Sequence, residues 1–347
     1  MEACADSKRL TGVLDVWETL VAQVLPMPPW HVGGGYQQNL PSPADRAYGD
    51  EVATIDLRTE VKEFLSSRRA RISPQRAGLP AYGGNRRVKG LRREEVALLA
   101  GVSVDYYVRM ERGSLAGASD GVLDALASAL QLDEAERDHL FHLARQSRVP
   151  SGSRRRRPAG TVRPALQQVL DAITDAPAWI CNGRYDVLAM NQLARALYSP
   201  LLADTRRPAN TARFVYLDPE AARTFYVDYE RIACDVAAKL RMEAGRNPHD
   251  DELIALVGEL STRSELFRQR WASQDVRLHR SGRKRVHHPV VGRLDLDVES
   301  MEMPAEPGLL LNVYTAPAGT ATVDGLALLA SWAAGQERPA TEIRALH

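Results

Sequence analysis

The chain has 347 residues, 44% of them apolar, and a formal net charge of +1. That length can bury a sizeable core and favours two domains over one. No run approaches the roughly 20 apolar residues of a membrane span, and the N-terminal stretch lacks a basic region joined to an apolar core, so neither anchoring nor secretion is expected.

In chain order, a short helix is predicted over Leu14–Val24. The passage MPPWHVGGGYQQNLPSPADRAYGD follows, rich in Pro and Gly and without periodicity. Residues 1–54 are therefore expected to form a poorly ordered extension, or to precede a translation start further downstream.

From residue 55 to 146 the pattern is helical, starting with a helix over Leu57–Arg71. Residues 68–93 hold nine cations (Arg68, Arg69, Arg71, Arg76, Arg86, Arg87, Lys89, Arg92 and Arg93) and no acid. An excess of one sign this local reads as a site for a polyanion, or as a solvated face.

The stretch GLRREEVALLAGVSVDYYVRMERG (Gly90–Gly113) is the most informative. Over Arg92–Ala100 one face is apolar through Val96, Ala97, Leu99 and Ala100, which predicts a short helix with one buried side. Gly101 can take the left-handed conformation that ends it, and Ser103 is a good N-cap for the next helix. A corner this tight lets the second helix stand clear of the body, as entry into a major groove requires.

These residues resemble a Cro/C1-type helix-turn-helix, and Val122–Leu132 resembles that family's fourth helix, packing through Leu123, Leu126, Ala127 and Leu130. The resemblance implies that Ser103 reaches a phosphate, that Val104, Asp105 and Arg109 face base edges, and that Tyr107 and Met110 pack inward. Residue chemistry agrees, because Arg109 can donate twice to guanine, Asp105 can accept from cytosine and Val104 can touch a thymine methyl. Tyr106 contacts a phosphate or sugar, or is simply exposed. Arg92 and Arg93, at a helix start, would add charge to the helix's positive end; Arg112 also falls on this face. The capping Ser or Thr expected at 92 is replaced by Arg, which leaves the helix start to phosphate or to Glu95 reaching back. Arg69, Arg71, Arg86 and Arg87 are candidate outer phosphate contacts.

A basic linker is expected over 147–160, where SRVPSGSRRRRPAG carries four consecutive arginines. A second domain over 161–336 follows, with a tail at 337–347. Strands are predicted at Ala178–Asn182 and Tyr185–Asn191, turned by Asn182-Gly183. Helices are predicted at Gln192–Tyr198, Pro219–Glu243, Asp251–Leu260 and Thr262–Gln274. Strands return at Arg285–Val291, Arg293–Met303 and Leu309–Ala316, the last apolar enough to be central, and a helix over Val323–Ala334 closes the domain. The order describes an α+β chain: an all-α helix-turn-helix domain, then an α+β domain with an antiparallel sheet.

RRxxGLRREEVALLAGVSVDYYVRMERG, together with HRSGRKRVHHPVVGRLDLDVESM and LLLNVYTAPAGT downstream, resembles the MmyB-like transcription regulators. That resemblance implies a PAS-like second domain that accepts a fatty-acid-like molecule. Candidate liners are Trp179, Tyr185, Leu188, Phe225, Tyr229, Phe267, Trp271 and Tyr314, all of them equally suited to plain core. In the basic run Arg280–His288, a ligand carboxylate could be held by Arg283, Lys284 or Arg285, or the run is a charged edge strand. His287 and His288 are adjacent, so in a strand they point to opposite faces and do not share a metal.

Cys4, Cys181 and Cys234 are too dispersed for a metal knuckle or a disulfide framework, which points to a reducing, cytoplasmic setting, and the DNA-binding reading adds nucleoid association. GxSxG, HExxH, GxxxxGKS and a convincing GxGxxG are all missing from the sequence, so no enzyme and no certain cofactor are expected. The expected function is a one-component transcriptional regulator. Its partners would be double-stranded operator DNA, a small apolar ligand and a second copy of itself, with no membrane. The alternative is a DNA-binding protein whose C-terminal domain binds a protein partner, antitoxin-like or scaffold, instead of a small molecule.

Overall fold

Asp56 caps α1 (Leu57–Arg71): its carboxylate accepts from the amides of Arg58 and Thr59. The computed structural model describes residues 56–79, 88, 90–148, 162–276 and 281–336. The helix predicted at Leu14–Val24, the extension over 1–54, Arg86, Arg87 and the tail at 337–347 lie outside the described residues.

Among the described residues, four further helices follow in the N-terminal head: α2 (Arg93–Leu99), α3 (Val104–Glu111), α4 (Asp120–Ala129) and α5 (Glu134–Arg148). Helix α5 runs to Arg148, two residues into the expected linker. The rest of that linker lies outside the described residues. The core of the head gathers Val61, Phe64 and Leu65 of α1, Val96 and Ala97 of α2, Tyr107 and Met110 of α3, Leu123 and Leu126 of α4, and Leu140 and Leu143 of α5.

The corner between α2 and α3 is a Schellman motif. Gly101 sits at φ +65°, its amide bonds the carbonyl of Leu98, and the amide of Val102 bonds that of Ala97. Ser103 then caps α3, its Oγ accepting from the amide of Tyr106 at 3.2 Å. Gly113 ends α3 in the same way at φ +98°. A Cβ there would lie 2.6 Å from the carbonyl oxygen of Arg58 and 2.8 Å from its Cα. Gly113→Ala is thus expected to lower stability by at least about 2 kcal/mol, because strained φ and backbone overlap act together. Urea unfolding checks this, and a change within error would refute the close approach.

The C-terminal part begins with α6 (Pro164–Ala172), then β1 (Ala178–Asn182) and β2 (Val187–Met190). Helices α7 (Gln192–Leu197), α8 (Ser199–Leu202), α9 (Thr211–Leu217), α10 (Pro219–Phe225), α11 (Tyr229–Arg246), α12 (Asp251–Arg263) and α13 (Glu265–Ala272) follow. Strands β3 (Ser281–His288), β4 (Gly292–Glu302) and β5 (Leu309–Thr315) precede a closing helix, α14 (Ala321–Gln336). The five strands form one antiparallel sheet in the order β2-β1-β5-β4-β3, with β5 central as its apolarity predicts. One sheet face, with Trp179, Cys181, Leu294, Leu296, Val298 and Tyr314, packs on the large helical layer. The other, with Ala178 and Ile180, packs on Leu170 of α6.

Three local expectations are corrected. The single helix predicted over 219–243 is two, broken at Tyr226–Asp228. There Tyr226 bridges to Val286, and the amide of Val227 donates to the carbonyl of Arg285, so this backbone serves the edge of β3. In the β1–β2 turn the positive φ falls on Tyr185 (+66°), not on Asn182 or Gly183. Asn182 organises the turn through its Oδ1, which accepts from the amides of Arg184 and Asp186. Finally, α6 and α9 are helices where none was predicted; α9 is capped by Asn210, which accepts from the amide of Arg213 at 2.9 Å.

The described residues all fall in one compact unit, so the head and the C-terminal part are not separated: Met242 of α11 and Val276 belong to the core of the head. Among the described residues no helix is long and apolar enough to cross a membrane, and no group of His, Cys, Asp or Glu is arranged to hold a metal.

Candidate nucleic-acid interface and ligand site

Helix α3 has a bare side and a buried one. Val104 (45% exposed), Asp105, Arg109 and Arg112 face solvent, while Tyr107 and Met110 are fully buried. Apolar residues three apart in the sequence lie on one stripe, which fixes the rotation of the helix and hence which residues are offered outward. Tyr106 is neither a free phosphate contact nor simply exposed. Its hydroxyl donates to the carbonyl of Gly117 at 3.3 Å, and the Arg109 guanidinium lies over its ring, 4.8 Å from the centroid.

Arg92 and Arg93 are exposed at the start of α2. The missing Ser or Thr cap is replaced by Glu95, whose Oε2 accepts from the amide of Arg92 at 2.7 Å. Arg93 also reaches back to Glu111 Oε2. Glu111 is buried at the C-terminal end of α3, where its Oε1 accepts from Arg69 Nε at 2.7 Å and from the Tyr107 hydroxyl at 3.3 Å. One carboxylate therefore joins α1, α2 and α3. Burial and this charge together push the Tyr107 hydroxyl well above its ordinary pKa.

Arg69 is accordingly withdrawn from the set of outer phosphate contacts. Its side chain is 18% exposed and also donates to the carbonyl of Leu91 at 3.0 Å. Arg71 pairs with Glu136 at 3.1 Å and with Asp275, and is half exposed. Arg68 is buried against Glu136 at 2.8 Å. Arg68, Arg69, Arg71 and Arg93 of the segment without acids thus meet acids from elsewhere in the chain.

In the C-terminal part the eight candidate liners separate. Trp179 and Tyr314 on the sheet, Phe225 at the end of α10 and Tyr185 in the β1–β2 turn come together around two unpredicted residues, Tyr198 and Tyr226. The ring of Tyr198 lies 5.6 Å from Trp179, 5.7 Å from Phe225 and 6.0 Å from Tyr314, and Tyr185 packs against the same core. Tyr229, Phe267 and Trp271 belong instead to the helical layer: the Tyr229 hydroxyl donates to the carbonyl of Val215, and Phe267 stacks on Trp271. Leu188 is half-buried on β2 and joins neither group.

Strand alternation splits the basic run of β3. Arg283 pairs outward with Asp297 at 3.1 Å, Arg285 is engaged by Asp228, and His287 is exposed. Lys284, Val286 and His288 point inward. His288 Nε2 faces the carbonyl of Ala196 at 3.1 Å. Lys284 Nζ donates to the Tyr314 hydroxyl at 3.1 Å, and the Tyr198 and Tyr314 hydroxyls are 2.6 Å apart. A second ammonium, Lys239 of α11, lies 4.1 Å from the ring centroid of Tyr185. Burial lowers the pKa of both lysines. The buried Tyr226 hydroxyl and Trp179 indole N–H face the same hydroxyl pair, Tyr226 towards Tyr198 and Trp179 towards Tyr314, without reaching full hydrogen-bond geometry. The interior therefore gathers two amines and several hydroxyls, with the buried carboxylates of Asp235 and Glu243 beside the lysines. Lys239, Tyr198 and Tyr226 carry no signal in a periodicity analysis, because a buried Lys or Tyr reads as helix surface or plain core. A cavity of about 320 Å³ lies elsewhere, beside Asp171, Thr174, Gln192 and Ala330.

At the junction of head and C-terminal part stands His139 of α5, fully buried, with both ring nitrogens unpartnered. Burial, then Arg241 and Arg68, His142 and Arg246, hold its pKa well below the ordinary 6.5. Above about pH 6.5 both folded and unfolded chains carry it neutral. As pH falls below that, the unfolded chain takes up a proton that the folded chain refuses, and stability drops by up to about 1.4 kcal/mol per pH unit. His142 and His288, lowered chiefly by burial, act in the same direction. The urea midpoint is expected to fall between about pH 7.5 and pH 5.5, and less so in His139→Leu. An equal fall in both proteins would show that His139 is not responsible.

Two family models match the chain: that of the MmyB-like transcription regulator ligand binding domain over residues 162–329, and that of a helix-turn-helix domain over residues 66–140. No curated protein matches it.

Proposed function

The chain is an MmyB-like transcription regulator, a helix-turn-helix domain and a ligand-binding domain on one polypeptide, and from that premise we propose a one-component, cytoplasmic regulator that reads operator DNA under the control of a small acidic, apolar molecule. The DNA half of this reading is carried by α3, whose inward side is fixed by Tyr107 and Met110 while Val104, Asp105 and Arg109 are offered outward. Arg92, Arg93, Arg112 and Ser103 flank that helix and supply phosphate contacts. Arg71, half exposed beside Asp275, and Arg86 and Arg87 are outer contacts of the same kind. A single head covers one half-site, so a homodimer binds two half-sites about one helical turn apart.

The ligand half rests on the interior donors. Lys284, Lys239, the Tyr198–Tyr314 pair and the Tyr226 hydroxyl and Trp179 N–H beside it suit an anionic head group. Trp179, Phe225 and the rest of the PAS-like core would meet its apolar tail, which fits the fatty-acid-like class. Selection of bound sequences from random DNA, repeated across a salt series, tests the first half; binding without sequence preference would refute it. Mass spectrometry of the denatured purified protein tests the second, and a stoichiometric protein partner in place of a small molecule would overturn it.

A further inference from the structure

We propose that α11 transmits the state of the interior lysine and tyrosine cluster to the DNA-binding head, through Arg241 held on Glu60 and Arg68 held on the chain around Gln274. The proposal rests on the ligand reading above only for what perturbs the cluster; the route is argued from α11 itself.

This helix has 18 residues and is buried on almost every side. Asp235 and Lys239, one turn apart, lie on the side of the cluster, where Lys239 covers the Tyr185 ring. Arg241 is two residues on, roughly 200° around the helix, and faces the other way. Its side chain is 1% exposed; Nη1 binds Glu60 of α1, Nη2 donates to the carbonyl of Trp271, and the guanidinium lies 4.0 Å from the Trp271 ring centroid. Further along, Met242 enters the core of the head. Gly245 lies so close to His139 of α5 that a Cβ would be 2.5 Å from the ring.

A second set of contacts runs beside the first. Arg68 of α1 donates to the carbonyl of Gln274 at 2.5 Å, and Gln274 Nε2 donates to Glu63 Oε2 at 2.6 Å. A helix packed on both sides is displaced as a body, because neither interface can be compressed. A shift at Lys239 is therefore felt at Arg241. The unpartnered nitrogens of His139 are a standing energetic cost within this tightly packed docking, so a modest change in free energy can shift the population of the seated head.

Hydrogen exchange on the full-length protein tests this, with sodium laurate as the probe and with Lys284→Met as a change to the cluster that needs no ligand. Either perturbation is expected to alter amide exchange in α11 and, together with it, in α1 and α5, by about threefold or more. In Glu60→Met/Arg241→Met, which replaces a buried ion pair by apolar contact, the change in α11 should persist and that in α1 and α5 disappear. Should the double variant fail to fold, the wild-type and Lys284→Met arms decide alone. A response in α11 that stops short of α1 and α5 overturns the proposal, as does its undiminished passage in the double variant, or silence of α11 under both perturbations. Silence to laurate alone, with Lys284→Met still reaching α1 and α5, refutes the ligand class and leaves the route standing.

Discussion

Glu111→Ala is expected to destabilise the head by about 3 kcal/mol or more and to abolish DNA binding with it. The carboxylate is 3% exposed and is the shared acceptor of Arg69, Arg93 and the Tyr107 hydroxyl. Removing it leaves the Arg69 guanidinium largely buried without its counter-charge, and the loss of a buried partner costs far more than the loss of an exposed pair. Arg93 is half exposed, so its share is screened by water and the total sits at the low end of the buried range. Against a total stability of about 5–15 kcal/mol for a domain, a loss of that size is decisive. Urea denaturation gives the number; a loss below about 0.5 kcal/mol would mean that Glu111 behaves as a solvated residue.

Arg109→Ala is expected to leave the fold intact and to relax base preference at one operator position, at a cost of about 1–3 kcal/mol for the preferred base. The side chain is exposed, so its loss opens no cavity. Its direction is set by the Tyr106 ring beneath it, itself anchored on Gly117, and a guanidinium aimed in advance loses less entropy on meeting guanine. The proper control is Arg92→Ala, which should weaken all sequences alike and reduce the salt slope by about one. Arg93→Ala is a poorer control, because Arg93 also braces Glu111. A mobility-shift series over salt and site variants distinguishes the two patterns; if neither substitution altered binding, the groove assignment would be wrong.

What could be foreseen from sequence was what neighbours in the chain decide. Gly101 at a left-handed turn, Ser103 as a cap, Glu95 reaching back to residue 92, and the alternation that turns Leu294, Leu296 and Val298 to one face each follow from residues a few positions apart. What stayed hidden was set by partners far along the chain. The basic segment contains no acid, yet Glu111 and Glu136 neutralise several of its arginines. Helix α9, TARFVYL, is rich in β-branched and aromatic residues and has strand-like propensity; its burial among other helices and its Asn210 cap override that preference. The break at Tyr226–Asp228 is dictated by the edge of β3, some sixty residues on. The interior lysine and tyrosine cluster was half visible for the same reason: its aromatics announce a core, but only the pleat of β3 turns Lys284 into it.

The way the head is seated bears on which substitutions could disturb it. Buried guanidiniums and a shared core hold the head against the C-terminal part, so its attitude is set by side chains far apart in the sequence. Exchange of one arginine beneath the head, Arg241 or Arg68, would then re-point the whole reading surface without touching a residue that faces DNA.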